Sequence, residues 1–181
     1  HRSRLTSHAV VMQSHVRFSY YSRLSPRQQG VYRASDAVEV VPIPEGAPLQ
    51  PIVANIAAAL AAGDQARTQA ECQALIDALV RRFNVPHIEV TVLARRPLLR
   101  DGDLHGLYEA EEHGRPIRIS VWMRTAQRRQ VVAFRTFLRT LLHEFCHHLD
   151  YELFKLPETF HTEGFYKRES SLLTQLLPPK S

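Results

Sequence analysis

Two histidines and a glutamate in the C-terminal part of the chain have the spacing of a metal site. His143 and His147 lie four residues apart, so on a helix their imidazoles lie on one face, one turn apart, and can bind one ion together. Glu144 follows the first histidine, where its carboxylate can reach a water on that ion rather than the ion itself. Zinc is the expected ion. The segment therefore predicts two zinc ligands and a general base.

A catalytic zinc ion usually has three protein ligands, so a third ligand is expected outside this segment. His161 follows a turn at Pro157 and precedes the last predicted helix, where the returning chain can face the motif helix. Glu163 and Glu169 are the alternatives, because a carboxylate on a following helix can also bind zinc. We favour His161, and both glutamates stay open at this point.

A long amphipathic helix is expected to carry the motif. Between about residue 125 and residue 154, apolar residues recur at the spacing of one buried stripe, which consists of Val131, Phe134, Leu138, Leu141, Phe145 and Leu149. The two histidines fall on a different face from this stripe. A closing helix is predicted over residues 164–177, before two consecutive prolines.

The preceding chain predicts two helices and a small sheet. Apolar spacing indicates one helix from Pro51 to about Leu60 and a second that ends near Phe83, with a break at Gly63 and Asp64. Alternating segments predict three strands, at residues 88–93, 106–109 and 117–122. The predicted fold class is therefore α+β, with N-terminal helices, a small mixed or antiparallel sheet, the motif helix and a C-terminal helix.

The first fifty residues differ in composition from the rest of the 181-residue chain. Aromatic and basic residues come first, and a proline-rich stretch with Pro42, Pro44 and Pro48 follows. We interpret residues 1–50 as an N-terminal arm and extended connector, and residues 51–181 as one globular domain.

Overall composition narrows the class of protein. Hydrophobic residues make up 44% and charged residues 23%, which are ordinary values for a globular protein. Two cysteines exclude a disulfide framework and a zinc ribbon of paired CxxC units, and they favour the reducing cytoplasm. No apolar run is long enough for a membrane span. The net charge of +5, with arginines at 124, 128, 129, 135 and 139, predicts at most weak binding to nucleic acid.

Two segments resemble the SprT-like and related minimal zincin metallopeptidases. They are residues 143–150 and residues 160–166. In that family an HExCH helix is followed by a histidine that has an aromatic residue four positions later. Cys146 matches the cysteine of the first element, and His161 and Phe165 match the second. The specific match covers about residues 138–173.

This resemblance implies a zincin-like fold and a zinc-dependent peptidase. The implied zinc ligands are His143, His147 and His161, with Glu144 as the base that activates water for hydrolysis of a peptide bond in a peptide or protein substrate. Tyr166 follows the third histidine closely and is a candidate donor to the oxyanion of a tetrahedral intermediate, although packing on the last helix also explains this residue.

Three further expectations follow. The strand around Arg118 is expected to form the sheet edge on which zincins lay an extended peptide. Asp150 lies three residues after His147, where it can orient a ligand imidazole. A DNA-associated SprT-like protease or accessory protein and a non-catalytic structural zinc domain are the alternative functions.

Overall fold

The computed structural model describes residues 17–97, 106–124 and 130–178. These ranges form five α-helices and one three-stranded sheet, which confirms the α+β fold class. The helices are α1 (Pro26–Asp36), α2 (Gln50–Ala61), α3 (Gln65–Phe83), α4 (Phe134–Glu152) and α5 (Glu163–Leu176), and the strands are β1 (Glu89–Leu93), β2 (Gly106–Glu109) and β3 (Arg118–Trp122). Within these ranges every helix is too short or too polar to cross a lipid bilayer.

The sheet is mixed, with β3 at its centre. β3 pairs in parallel with β1 and antiparallel with β2. Val90 lies opposite Ile119 and Val92 opposite Val121, and these four buried side chains form the face that packs into the core with α3 and α4. The expectation that Arg118 marks a sheet edge was wrong, because its strand has a neighbour on each side.

Three glutamines on α3 cover the outer edge of β1. They lie four residues apart, so they occupy one face of the helix. The backbone N–H of Val90 donates to Gln73 Oε1 at 2.8 Å, and that of Val92 donates to Gln69 Oε1 at 2.9 Å. Gln65 Nε2 donates to the Val92 carbonyl at 2.9 Å. These bonds satisfy the outer edge of β1, so within the described residues β2 is the strand whose outer edge has no neighbouring strand.

The motif helix is shorter than the sequence predicts. α4 begins at Phe134, while residues 125–129 lie outside the described ranges. The N–H of Val132 donates to the carbonyl of Met123 at 2.7 Å, so the chain just before α4 lies beside the residue that follows β3 and is not helical. Val131 and Val132 pack against the core from the segment before α4. The burial of Val131 explains why the predicted apolar stripe includes it, although it is not part of the helix.

The N-terminal part contains a helix that the sequence analysis did not predict. Ser25 and Gln28 form a capping box at the start of α1, and Pro26 occupies the first turn, where its missing N–H costs nothing. α1 packs on α5 and buries Tyr32 completely. The other predicted helices and strands agree with the structure to within about two residues, the usual uncertainty of element ends.

Candidate metal centre

The imidazoles of His143, His147 and His161 converge on one point. Two of them come from α4 and the third from the segment between α4 and α5, and their ring centroids lie 4.9 to 5.1 Å apart. The candidate ligand atoms all lie within 4.8 Å of one another, and the Nε2 atoms of His147 and His161 are 3.1 Å apart. Tetrahedral zinc with bonds of roughly 2.0–2.1 Å separates its ligand nitrogens by about 3.3 Å. This donor set fits zinc.

Glu169 forms a hydrogen bond with the Nδ1 atom of His143. The Nδ1 atom of His143 lies 2.7 Å from Glu169 Oε1, and Arg139 Nη1 donates to Glu169 Oε2 at 2.7 Å. An ionised carboxylate only accepts hydrogen bonds, so His143 Nδ1 carries the proton and Nε2 is the candidate ligand atom. Glu169 therefore contacts a candidate ligand from outside the cluster, while His161 completes the cluster of three histidines.

Asp150 reaches His147 through Thr159 rather than directly. His147 Nδ1 lies 2.8 Å from Thr159 Oγ1, and that hydroxyl donates to Asp150 Oδ2 at 2.7 Å. Asp150 is fully buried, so it lies inside the protein and not on the exposed face of α4. Burial raises the pKa of Asp150, while the charge of Arg168 and the hydrogen bonds from Thr159 and Arg168 oppose that shift.

His161 is held by its backbone and by the start of α5. Tyr20 donates from its hydroxyl to the His161 carbonyl at 2.7 Å. Thr162 caps α5 by accepting from the N–H of Phe165 at 2.9 Å, and its Oγ1 lies 3.2 Å from Ser35 Oγ. The Phe165 ring lies 4.8 to 5.1 Å from all three imidazoles. SprT-like peptidases, which this segment resembles, often have glycine directly after the third histidine. In this chain that position is Thr162, which serves as the N-cap of α5.

Glu144 lies in the wall of a cleft beside the histidines. Its side chain is only 1% exposed. The cleft has a volume of about 420 Å³ and is lined by Leu107, Tyr108, Ala110, Glu144, His147, Tyr151, Thr159 and His161. Three of these residues belong to β2 or follow it directly, so the candidate base, two candidate ligands and the edge strand border one space.

Tyr166 borders the same centre from the side of α5. Its ring centroid lies 6.0 Å from that of His143 and 5.7 Å from that of His161, and 40% of the residue is exposed. Phe18 packs against it edge-on at 6.2 Å. The ring is therefore close to the cluster, and its role as an oxyanion donor stays a prediction.

No protein-family model, curated protein or solved structure matches this chain. The likeness to SprT-like peptidases remains a resemblance of two motif segments. What the structure adds is that these two segments meet in space and that polar residues on other elements support them.

Sequence reasoning missed Tyr20, Thr159 and Tyr108. Tyr108 donates from its hydroxyl to His148 Nδ1 at 2.9 Å, because His148 Nε2 donates to the Pro86 carbonyl at 2.9 Å. His148 is thus a buried packing histidine. These contacts join residues 12 to 141 positions apart, and no local pattern marks them. The one local signal for a supporting residue was the position of Thr159, which lies two residues before the candidate ligand His161.

Proposed function

We propose that this protein is a zinc-dependent metallopeptidase with a zincin-like site. The observation that carries this proposal is the shared cleft, in which Glu144 lies beside a cluster of three imidazoles and along the edge strand β2. A zinc ion held by His143, His147 and His161 would supply the Lewis acid that polarises a peptide carbonyl and acidifies a water molecule.

Glu144 serves as the general base and then as the acid. It follows a candidate ligand histidine on α4 and lines the cleft, and it is not one of the three residues that could hold the ion. In this position it takes a proton from the attacking water and delivers the proton to the leaving amine. Such proton transfer contributes roughly 10²- to 10⁴-fold to the rate. Tyr166, next to His143 and His161, donates to the oxyanion.

An extended peptide is the substrate class that suits the cleft. β3 occupies one side of β2, and the glutamines of α3 occupy the outer edge of β1, so an added strand pairs with β2. Strand addition uses backbone hydrogen bonds, which any peptide can form. Leu107 and Tyr108 bring this edge directly to Glu144.

Elemental analysis tests the site without knowledge of the substrate. We expect one zinc per chain in the wild type and in Glu144→Gln, and little or none in His147→Ala and His161→Ala. His87→Ala is the matched control, because His87 is an exposed histidine away from the cluster and its replacement leaves zinc binding unchanged. A wild type that neither contains zinc nor takes it up would refute the proposal.

Peptide cleavage separates a peptidase from a structural zinc domain. With a mixed peptide library and mass spectrometry, the zinc-loaded wild type is expected to cut and Glu144→Gln to be inactive. If both bind zinc and neither cuts, the site only joins α4 to the segment before α5. Nucleic-acid binding is tested by a mobility shift with single-stranded DNA, which must weaken as salt increases.

A further inference from the structure

A continuous set of hydrogen bonds leads from His147 into the protein interior. His147 contacts Thr159, Thr159 contacts Asp150, and Asp150 pairs with Arg168. We propose that Thr159 is a positioning residue that fixes the orientation and tautomer of His147 by linking it to the buried Asp150–Arg168 ion pair. This inference rests on the proposed zinc site and adds to it a residue outside the two motif segments that match the family.

The direction of the protons follows from the chemistry of the three groups. The ionised carboxylate of Asp150 only accepts, so the single hydroxyl hydrogen of Thr159 points to Asp150 Oδ2, 2.7 Å away. The oxygen of Thr159 must then accept from His147 Nδ1 at 2.8 Å. His147 therefore carries its proton on Nδ1 and presents the lone pair of Nε2 to the ion, 3.1 Å from Nε2 of His161.

The ion pair at the inner end of this arrangement is buried and hydrogen-bonded to several elements. The side chains of Asp150 and Arg168 are 0% and 1% exposed, and Arg168 Nη2 donates to Asp150 Oδ1 at 3.0 Å. Arg168 also donates to the carbonyls of Ser35 and Val38 and to Ser35 Oγ. The pair thus joins α4, α5 and the end of α1, and one carboxylate oxygen is left to hold Thr159.

Thr159 is the member of this set that lies outside the helices, in the irregular segment between α4 and α5. Its hydroxyl bonds the imidazole of a helix residue on one side and the carboxylate of the same helix on the other. Loss of the hydroxyl leaves the ring of His147 without the partner that sets its tautomer. Removing a group of this kind behind a metal ligand typically weakens metal affinity by roughly 10- to 100-fold.

Zinc affinity, measured by competition with a chromophoric chelator, tests this inference. We expect Thr159→Val, which keeps the shape and removes the hydroxyl, to weaken zinc binding by roughly 10- to 100-fold, and Thr159→Ser to stay within about threefold of the wild type. Thr140→Val is the matched control on α4, because the hydroxyl of Thr140 donates to the Thr136 carbonyl of its own helix rather than to a candidate ligand. Unchanged affinity in Thr159→Val, or no rescue by serine, would overturn the inference.

Two further measurements keep this result distinct from a general loss of stability and from failure of the zinc site. The melting temperature of each metal-free variant shows whether affinity falls without unfolding. Nitrogen NMR of the histidine rings in the wild type must show His147 protonated on Nδ1 even without metal, and an unprotonated Nδ1 would overturn the inference. A wild type that binds no zinc would refute the proposed function, while this NMR test of the Thr159 link still applies.

Discussion

Gly106 on β2 lies directly against Glu144 on α4. A Cβ atom at Gly106 would lie 3.2 Å from Glu144 Cγ and 2.9 Å from Thr140 Cγ2, closer than side-chain carbons normally approach. Because Gly106 has no side chain, β2 can pack closely against α4 at this position. This close approach sets how near the candidate base lies to a peptide on β2.

Gly106→Ala is expected to reduce peptidase activity by roughly 10- to 100-fold while zinc content stays at the wild-type level, because a displacement of the base or of β2 misaligns the reacting groups. The measurement is kcat/KM on a cleaved peptide beside the zinc content of the same sample. Gly30→Ala serves as control, since its new Cβ meets only the end of an arginine side chain, at 3.9 Å. Full activity in Gly106→Ala would contradict this account of the contact.

The roles of His161 and Glu169 can be separated by the size of the effect on zinc binding. Glu169 contacts Nδ1 of His143, so Glu169→Ala is expected to weaken zinc binding by roughly 10- to 100-fold. His161→Ala removes a ligand and is expected to weaken it far more. Glu163→Ala, at the first turn of α5, is expected to change it little. If Glu169→Ala abolishes binding and His161→Ala does not, the third ligand is the glutamate.

Gly164 allows the end of α1 to dock on the start of α5. A Cβ at Gly164 would lie 2.7 Å from the carbonyl carbon of Asp36, and the Gly164 N–H donates to Asp36 Oδ1 at 2.8 Å. Gly164→Ala forces this backbone contact apart and is expected to lower the free energy of unfolding by about 1–3 kcal/mol or more. Chemical denaturation measures the loss, and Gly30→Ala is again the reference. A wild-type midpoint for Gly164→Ala would show that α1 does not depend on this contact.

The sequence predicts the three-histidine cluster better than it predicts the residues that form hydrogen bonds to those histidines. His143, Glu144 and His147 share one helix, so their relative positions follow from its period, and His161 follows from its place after a turn. Tyr20 and Arg168 contribute through contacts that join distant segments, and their types alone suggest only surface or packing roles.

For the fold as well, local sequence patterns predict the elements but not the contacts between distant segments. Helix and strand segments follow from local apolar spacing, and the capping box of α1 is a local signal of the same kind. The order of the strands is not local, so alternation in the strand of Arg118 could not show that the strand lies between two others. Periodicity also could not separate Val131 from α4, because an extended residue and a helical one can bury the same side chain.

The cysteine inside the motif gives a last test of the mechanism. Cys146 and Cys72 are 1% and 0% exposed, and burial raises the pKa of both thiols above the ordinary value. Because the thiolate is the reactive form, neither thiol is expected to react quickly with a disulfide reagent at pH 8 in the folded protein, and both are expected to react after denaturation. Alkylation of the native protein should leave peptidase activity unchanged, and Cys146→Ala should keep its zinc. Rapid modification of Cys146 in the native protein would contradict its burial, and loss of zinc in Cys146→Ala would show that the thiol contributes to the site.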